Sequence, residues 1–135
     1  MPDWSEGDAV FVLSDMDTEE YKKAKAKEAT RIADKSEIEL LLSTPCFEIW
    51  YLLHFRYSTR QYSSSAEAVD ELRKYVKDYQ KNSDIAEMLK PLQAEAIARA
   101  KKAEKYHETA GRKRWERNSG TEVYHLVELL KMAEE

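Results

Sequence analysis

Residues 43–55 read Ser43-Thr44-Pro45-Cys46-Phe47-Glu48-Ile49-Trp50-Tyr51-Leu52-Leu53-His54-Phe55. A proline near the start of such a run suits the first turn of a helix, and Ser43 or Thr44 can cap it. Beyond Pro45 apolar residues fall on nearly every face, so the spacing predicts a buried helix rather than an amphipathic one. Glu48 and His54 interrupt the apolar run. A buried carboxylate is costly alone, so Glu48 needs a metal, a cation or hydrogen-bond donors. That need makes Glu48 a candidate for function as well as packing.

Working outward, Ile38 to Leu42 is a short apolar run that reads as a strand leading into this helix. Ala9 to Ser14, A-V-F-V-L-S, is a second such run and reads as a strand buried on both faces. Between them, Thr18 to Lys35 reads as a helix that Thr18 can cap, with only Ala24, Ala26 and Ala29 as a thin packing face. Strand, helix, strand in this order is a βαβ unit with parallel strands. From Ser63 the pattern is helical only. Ser65 to Gln80 carries Ala68, Val69, Leu72, Val76 and Tyr79 at helical spacing. Ile85 to Met88 continues briefly, and Pro91 opens a helix to about His107. Ala110 to Gly120 is a polar, basic loop around Trp115. Thr121 then caps a last helix whose face is Val123, Leu126, Val127 and Leu130. The expected fold is α/β: a parallel sheet of few strands over residues 1–62, then a mostly helical part over 63–135, in one domain.

The chain has 135 residues, 42% hydrophobic and 36% charged, with a net charge of −4. No apolar run reaches the ~20 residues of a membrane span. The start, M-P-D-W-S-E-G-D, carries no signal-peptide pattern, and the single Cys46 excludes an internal disulfide and suits a reducing compartment. A cytoplasmic protein is expected. The charge is uneven: Arg99 to Arg117 holds eight Lys or Arg against three acids. A local basic patch is the footprint of a phosphate-binding surface, although a solvated helix and loop give the same pattern.

Asp15-Met16-Asp17 follows the first strand directly. Ligands of open α/β sheets sit at the carboxyl ends of strands, and two carboxylates there can converge on Mg²⁺ or Mn²⁺. The same pair can be plain turn and capping chemistry. Glu48 can face the same sheet edge, or accept from N–H groups of its own first turn. His54 can be an acid/base group or a satisfied core histidine. Cys46, without a partnering His, reads as a buried structural thiol. His107 and His125 have no ligand-like spacing, and no P-loop, G-x-G-x-x-G or zinc spacing occurs.

The 43–55 segment resembles the signature S-N-P-C-F-E-x-W-x-L-L-H-F of RloB-like proteins, a bacterial abortive-infection and phage-defence family. The resemblance extends to F-V-L-S-D-M-D at 11–17, to Tyr75 with Lys77, to Ala96-Ile97 with Ala100-Lys101, and to N-S-G-T-E-V-Y-H-L-V-E-L-L at 118–130. It implies a Toprim-related, Rossmann-like fold and a Mg²⁺-dependent (or Mn²⁺-dependent) nuclease, often with an ABC-type ATPase partner. Asp15 and Asp17 match the Toprim D-x-D, Glu48 the acid of P-C-F-E, and His54 the histidine closing that motif. Asp15, Asp17 and Glu48 are then the metal ligands, with His54 beside them in catalysis. The family's opening strand and glutamate have no counterpart ahead of Trp4, so a truncated Toprim-like form is expected.

Two functional classes follow. One is a phosphodiesterase cutting DNA or RNA, with Lys77, Lys101, Arg112, Lys113, Arg114 and Arg117 neutralising the backbone. The other is a non-catalytic defence subunit that binds nucleic acid or the ATPase partner; a helical domain whose acids merely cap is the third possibility. Two strands make a poor sheet, and an uncovered apolar edge invites pairing, so a homodimer is expected.

Overall fold

The computed structural model describes residues 10–134. The first strand, β1 (Val10–Asp15), is followed by α1 (Glu20–Asp34) and β2 (Ile38–Thr44). β1 and β2 pair in parallel with Val10 opposite Ile38 and Asp15 opposite Ser43. A two-residue strand, β3 (Gly120–Thr121), pairs antiparallel on the other edge of β2, giving the order β1-β2-β3. The helical half consists of α2 (Glu48–Leu53), α3 (Ser65–Leu72), α4 (Ala86–Leu89), α5 (Gln93–Thr109) and α6 (Tyr124–Glu134). The mixed α/β architecture and the parallel βαβ unit agree with the sequence reading. The residues ahead of β1, including Ala9 and Trp4, lie outside the described part.

β2 is the strand buried on both faces, from Leu40 to Thr44. Leu40 and Leu42 pack with Met16 and Ala26, and with Ala33 and Trp115, under α1. β1 was expected to be buried on both faces, but Val12 and Leu13 are 43% and 45% exposed. Among the described residues β1 lies at the edge of the sheet with β2 as its partner, and Val12 and Leu13, on opposite faces of the strand, are both only partly covered. The face opposite α1 forms a groove of about 470 Å³ in which Phe11 and Leu41 meet Arg114, Glu122 and Leu129.

The 43–55 segment divides differently from the sequence expectation. Ser43 and Thr44 belong to β2, where they pair with Thr121 and Gly120, so neither caps a helix. Ser43 Oγ lies 2.7 Å from Thr121 Oγ1. Pro45 follows through a cis peptide bond, and α2 begins only at Glu48. The apolar content still does what it implied: Ile49, Trp50, Leu52 and Leu53 anchor the main core against α3 and α5. The small residues Ala96, Ala100 and Ala103 are almost fully buried on α5 and admit close approach.

Other boundaries shift as well. α3 ends at Leu72, and turns carry the chain on, yet Val76 and Tyr79 still reach the core. Pro91 sits in a 3₁₀ turn (Lys90–Leu92), and α5 starts at Gln93. Thr18 does not cap α1; its hydroxyl donates to Ser63 O at 2.9 Å, tying the βα loop to the helical half. Thr121 lies in β3 rather than at a helix cap, and Leu130 is 55% exposed instead of packed.

Trp50 is 5% exposed and meets the His54 ring edge-on at 4.7 Å. Trp50→Ala is expected to cost about 3–5 kcal/mol in denaturant unfolding. A loss under about 1 kcal/mol would place α2 outside the core.

Candidate functional site

The carboxyl end of β1 is fixed to the start of α2 by backbone bonds. Met16 N donates to Ser43 O at 2.8 Å and Asp17 N to Pro45 O at 2.7 Å. Phe47 N then donates to Asp15 Oδ1 at 2.9 Å. Asp15 thus stands beside the first residue of α2, which is Glu48.

Glu48 is 1% exposed. The sequence argument required a partner for it, and the structure supplies two. Tyr79 O–H donates to Oε2 at 2.7 Å, and the Lys81 ammonium donates to Oε1 at 2.6 Å. The same ammonium lies 3.9 Å from Asp15 Oδ2, while the Lys81 side chain stays 63% exposed. Burial would raise the Glu48 carboxyl, but the bonds from Lys81 and Tyr79 outweigh it and hold the group below its ordinary value. Asp15 moves the other way: burial raises it, and Lys81 and the Phe47 N–H offset only part of that. Burial, and donation to Glu48, push the Tyr79 hydroxyl well above its usual range. Cys46, fully buried next to this carboxylate, is pushed up to about 12 by burial first and by the Glu48 charge second. It is an inert thiol, as expected.

Asp17 stands apart from the pair. It takes a left-handed backbone conformation (φ 58°), which aspartate tolerates, and its Oδ1 accepts from Thr18 N at 2.8 Å. Its Oδ2 faces Lys22 at 3.5 Å. His54 also stays outside the cluster. Its Nδ1–H donates to Trp50 O one turn back at 2.9 Å, and burial keeps the ring neutral by lowering its pKa.

Asp15, Asp17 and Glu48 were expected to hold Mg²⁺ or Mn²⁺. Among the described residues no group of three or more His, Cys, Asp or Glu side chains is gathered as a metal-ligand set. Both oxygens of Glu48 are already engaged, and the cation between Glu48 and Asp15 is the Lys81 ammonium. In this arrangement the donor set does not fit a divalent ion. The cluster joins instead two carboxylates, a phenol and a solvent-reachable ammonium. Tyr79 and Lys81 escaped the sequence reading as site residues. The signal that pointed to them was the demand of Glu48 for a donor or a cation.

The basic residues divide into two groups. Lys101 pairs with Glu128 at 2.8 Å. Arg114 grips Glu122 with two nitrogens, at 2.7 and 2.6 Å, and Arg117 reaches the same carboxylate at 3.9 Å. Arg114 and Arg117 are thus committed to a buried carboxylate, whereas Lys101 makes a surface pair. Arg112 and Lys113 form no ion pair among the described residues, and Lys77 is exposed after α3. Arg112 donates to His107 Nδ1 at 3.2 Å, and His107 Nε2–H donates to Ser119 O at 2.8 Å. Burial and the neighbouring arginine charges keep His107 neutral.

The chain belongs to the RloB-like family: the family model described as RloB-like protein matches residues 2–130, nearly the whole sequence. No curated protein and no solved structure gives a significant match. No helix among the described residues is long and apolar enough to cross a membrane.

The Glu48–Lys81 contact makes a pH-dependent prediction. Lys81→Ala removes one of the two donors from a buried carboxylate and is expected to cost about 1–3 kcal/mol at pH 7. The folded-state pKa of Glu48 is depressed, so its contribution is present above the unfolded value and lost as pH falls through the folded one. The deficit of the variant therefore shrinks with acidification, because a protonated Glu48 no longer needs the cation. Urea unfolding of both proteins from pH 7 down to pH 3 checks this; a deficit independent of pH would refute the assignment.

Proposed function

We propose that this RloB-like chain acts on nucleic acid, and that Asp15, Glu48, Tyr79 and Lys81 form the cluster that meets a phosphodiester. The observation that carries the reading is the Lys81 ammonium, held by two carboxylates at the carboxyl end of a parallel strand yet 63% exposed. A cation fixed there and reachable from solvent can take a phosphate oxygen. Glu48, with Tyr79 behind it, holds the ammonium in place. Asp15, whose Oδ2 lies 3.9 Å from that ammonium and whose carboxyl is raised mainly by desolvation, is the proton-handling group in this reading. The family resemblance adds Mg²⁺ or Mn²⁺, a role in phage defence and an ABC-type ATPase partner. The donor set of the cluster does not fit either ion, so in this reading Asp15 and Lys81 themselves act on the phosphodiester.

A second reading is a subunit that binds nucleic acid or its ATPase partner without chemistry. It is favoured by one observation: both oxygens of Glu48, and one of Asp15, are already satisfied within the protein.

End-labelled RNA and DNA oligonucleotides, incubated with the protein in Mg²⁺, in Mn²⁺ and in EDTA, separate the two. Cleavage that falls at least about 100-fold in Asp15→Asn and in Lys81→Ala supports the first reading. Intact oligonucleotides that nonetheless bind assign the chain to the second. Cleavage unchanged in both variants would move the chemistry away from this cluster.

A further inference from the structure

The outer surface at the carboxyl-terminal end of α5 combines an exposed ring, Tyr106, and a half-buried one, Tyr57, with cations that form no ion pair among the described residues. Lys102, Lys105 and Tyr106 occur at i, i+3 and i+4, so they share one face of the helix. Lys102 Nζ lies 4.3 Å from the ring centroid of Tyr57, which follows α2. Tyr106 is 48% exposed, and the Arg112 guanidinium lies over its ring at 5.4 Å. A reversal after α5 places that arginine: Gly111 has φ +78°, its N–H donates to Glu108 O at 2.9 Å, and Arg112 N donates to His107 O at 3.0 Å. A Cβ on Gly111 would meet nothing within 4 Å, so the backbone conformation rather than space calls for glycine.

Lys102, Lys105, Arg112 and Lys113 form no ion pair among the described residues, in contrast to Lys101, Arg114 and Arg117 nearby. Of the neighbouring acids, Glu116 Oε1 accepts from Lys113 N at 2.9 Å, and Glu108 and Asp34 line a groove that Arg112 and Lys113 also line, without an ion pair to either. The surface therefore presents two tyrosine rings bordered by four cations without an ion pair among the described residues, of which Arg112 also donates to His107. Duplexes hide their base faces and present phosphates and groove edges. Single strands present both, and stacking on aromatic rings flanked by cations is how they are held without sequence readout.

We infer that this face binds single-stranded nucleic acid, with Tyr57 and Tyr106 stacking bases and Lys102, Lys105, Arg112 and Lys113 taking phosphates. On contact Lys102 and Arg112 leave the rings for the backbone oxygens, and the ring faces pass to the bases. The inference deepens the proposed action on nucleic acid by naming the strandedness and the surface.

Fluorescence anisotropy with a labelled 12-nucleotide RNA, the same sequence as DNA, and a matched duplex hairpin tests it between 50 and 200 mM salt. Single strands are expected to bind more tightly than the hairpin, with a log–log salt slope near −3 for about four phosphate contacts. Tyr106→Ala is expected to weaken single-strand binding about 5- to 150-fold, while Tyr106→Phe, which keeps the ring, leaves it intact. Lys102→Gln should lessen the slope by about 0.7. Equal affinity for strand and hairpin with Tyr106→Ala unaffected would overturn the inference. So would polyglutamate competing the RNA away at equal charge concentration in the wild type but not in Lys102→Gln, which would assign the face to an acidic protein. Failure here is distinct from failure of the proposed function. Cleavage that persists in Tyr106→Ala, with unchanged binding, sinks this face alone, whereas loss of cleavage in Lys81→Ala with binding retained leaves it standing.

Discussion

A carboxylate that is 1% exposed must be answered by donors or a cation, and the fold around Glu48 is arranged to answer it. Tyr79 and Lys81 come from the turns after α3, 31 and 33 residues further along the chain. Their arrival pins that turn segment to the start of α2. The same ammonium reaches Asp15, and Phe47 N–H reaches Asp15 from the other side. One buried charge thus links the end of the parallel strand, the core helix and the returning turn. A hydrophobic residue at position 48 would fill the space but leave Lys81 and Tyr79 without a reason to sit there. Breaking a buried pair is costly in a way that replacing it with packing is not.

Glu122 does the equivalent work at the opposite edge of the sheet. β3 is only two residues long, so β2 would otherwise end its pairing at Ser43. Glu122 extends it: its N–H donates to Leu42 O at 2.9 Å, and its Oε1 accepts from Leu42 N at 2.9 Å. Arg114 neutralises that carboxylate and also bonds Leu40 O. A side-chain pair here occupies backbone groups that a longer strand would have occupied. The edge of β2 is closed by charge and hydrogen bonding rather than by more sheet, which limits its use as a template for another chain.

What the sequence made legible follows from where the deciding forces are local. The βαβ order, the parallel pairing, the helix ending near His107 and the apolar weight of 49–53 all come from short-range pattern, and the structure has them. The need of Glu48 for a partner was also readable, because it rests on solvation alone. The partner itself was not: Tyr79 fits the helical spacing of Ala68, Leu72 and Val76, so it read as core, and nothing local marks Lys81. The start of α2 was misplaced because Pro45 suits a first helical turn, whereas long-range pairing with β3 holds Ser43 and Thr44 in the strand. A two-residue strand has no periodicity to detect. The burial expected of β1 failed for a related reason, since an apolar run reports what the strand can bury and not whether it is central.

The charge pattern shows the same limit and what replaces it. Counting residues from Arg99 to Arg117 gives a strong positive excess and treats every cation alike. Burial ranks them. Glu122 is 7% exposed, and its charge commits Arg114 and draws in Arg117, while Glu128 commits Lys101. A cation already bound to a buried carboxylate cannot also neutralise a phosphate without leaving that carboxylate unpaired, at a cost of several kcal/mol. Lys102, Lys105, Arg112 and Lys113 carry no such obligation: Lys102 and Arg112 lie over tyrosine rings, interactions of about 0.5–1 kcal/mol at exposed sites, and Arg112 also donates to the neutral His107. The weakness of those contacts, and the lack of an ion pair among the described residues, frees these four for a ligand. The electrostatic surface of this chain is therefore set less by how many basic residues it has than by how many its own buried acids leave over.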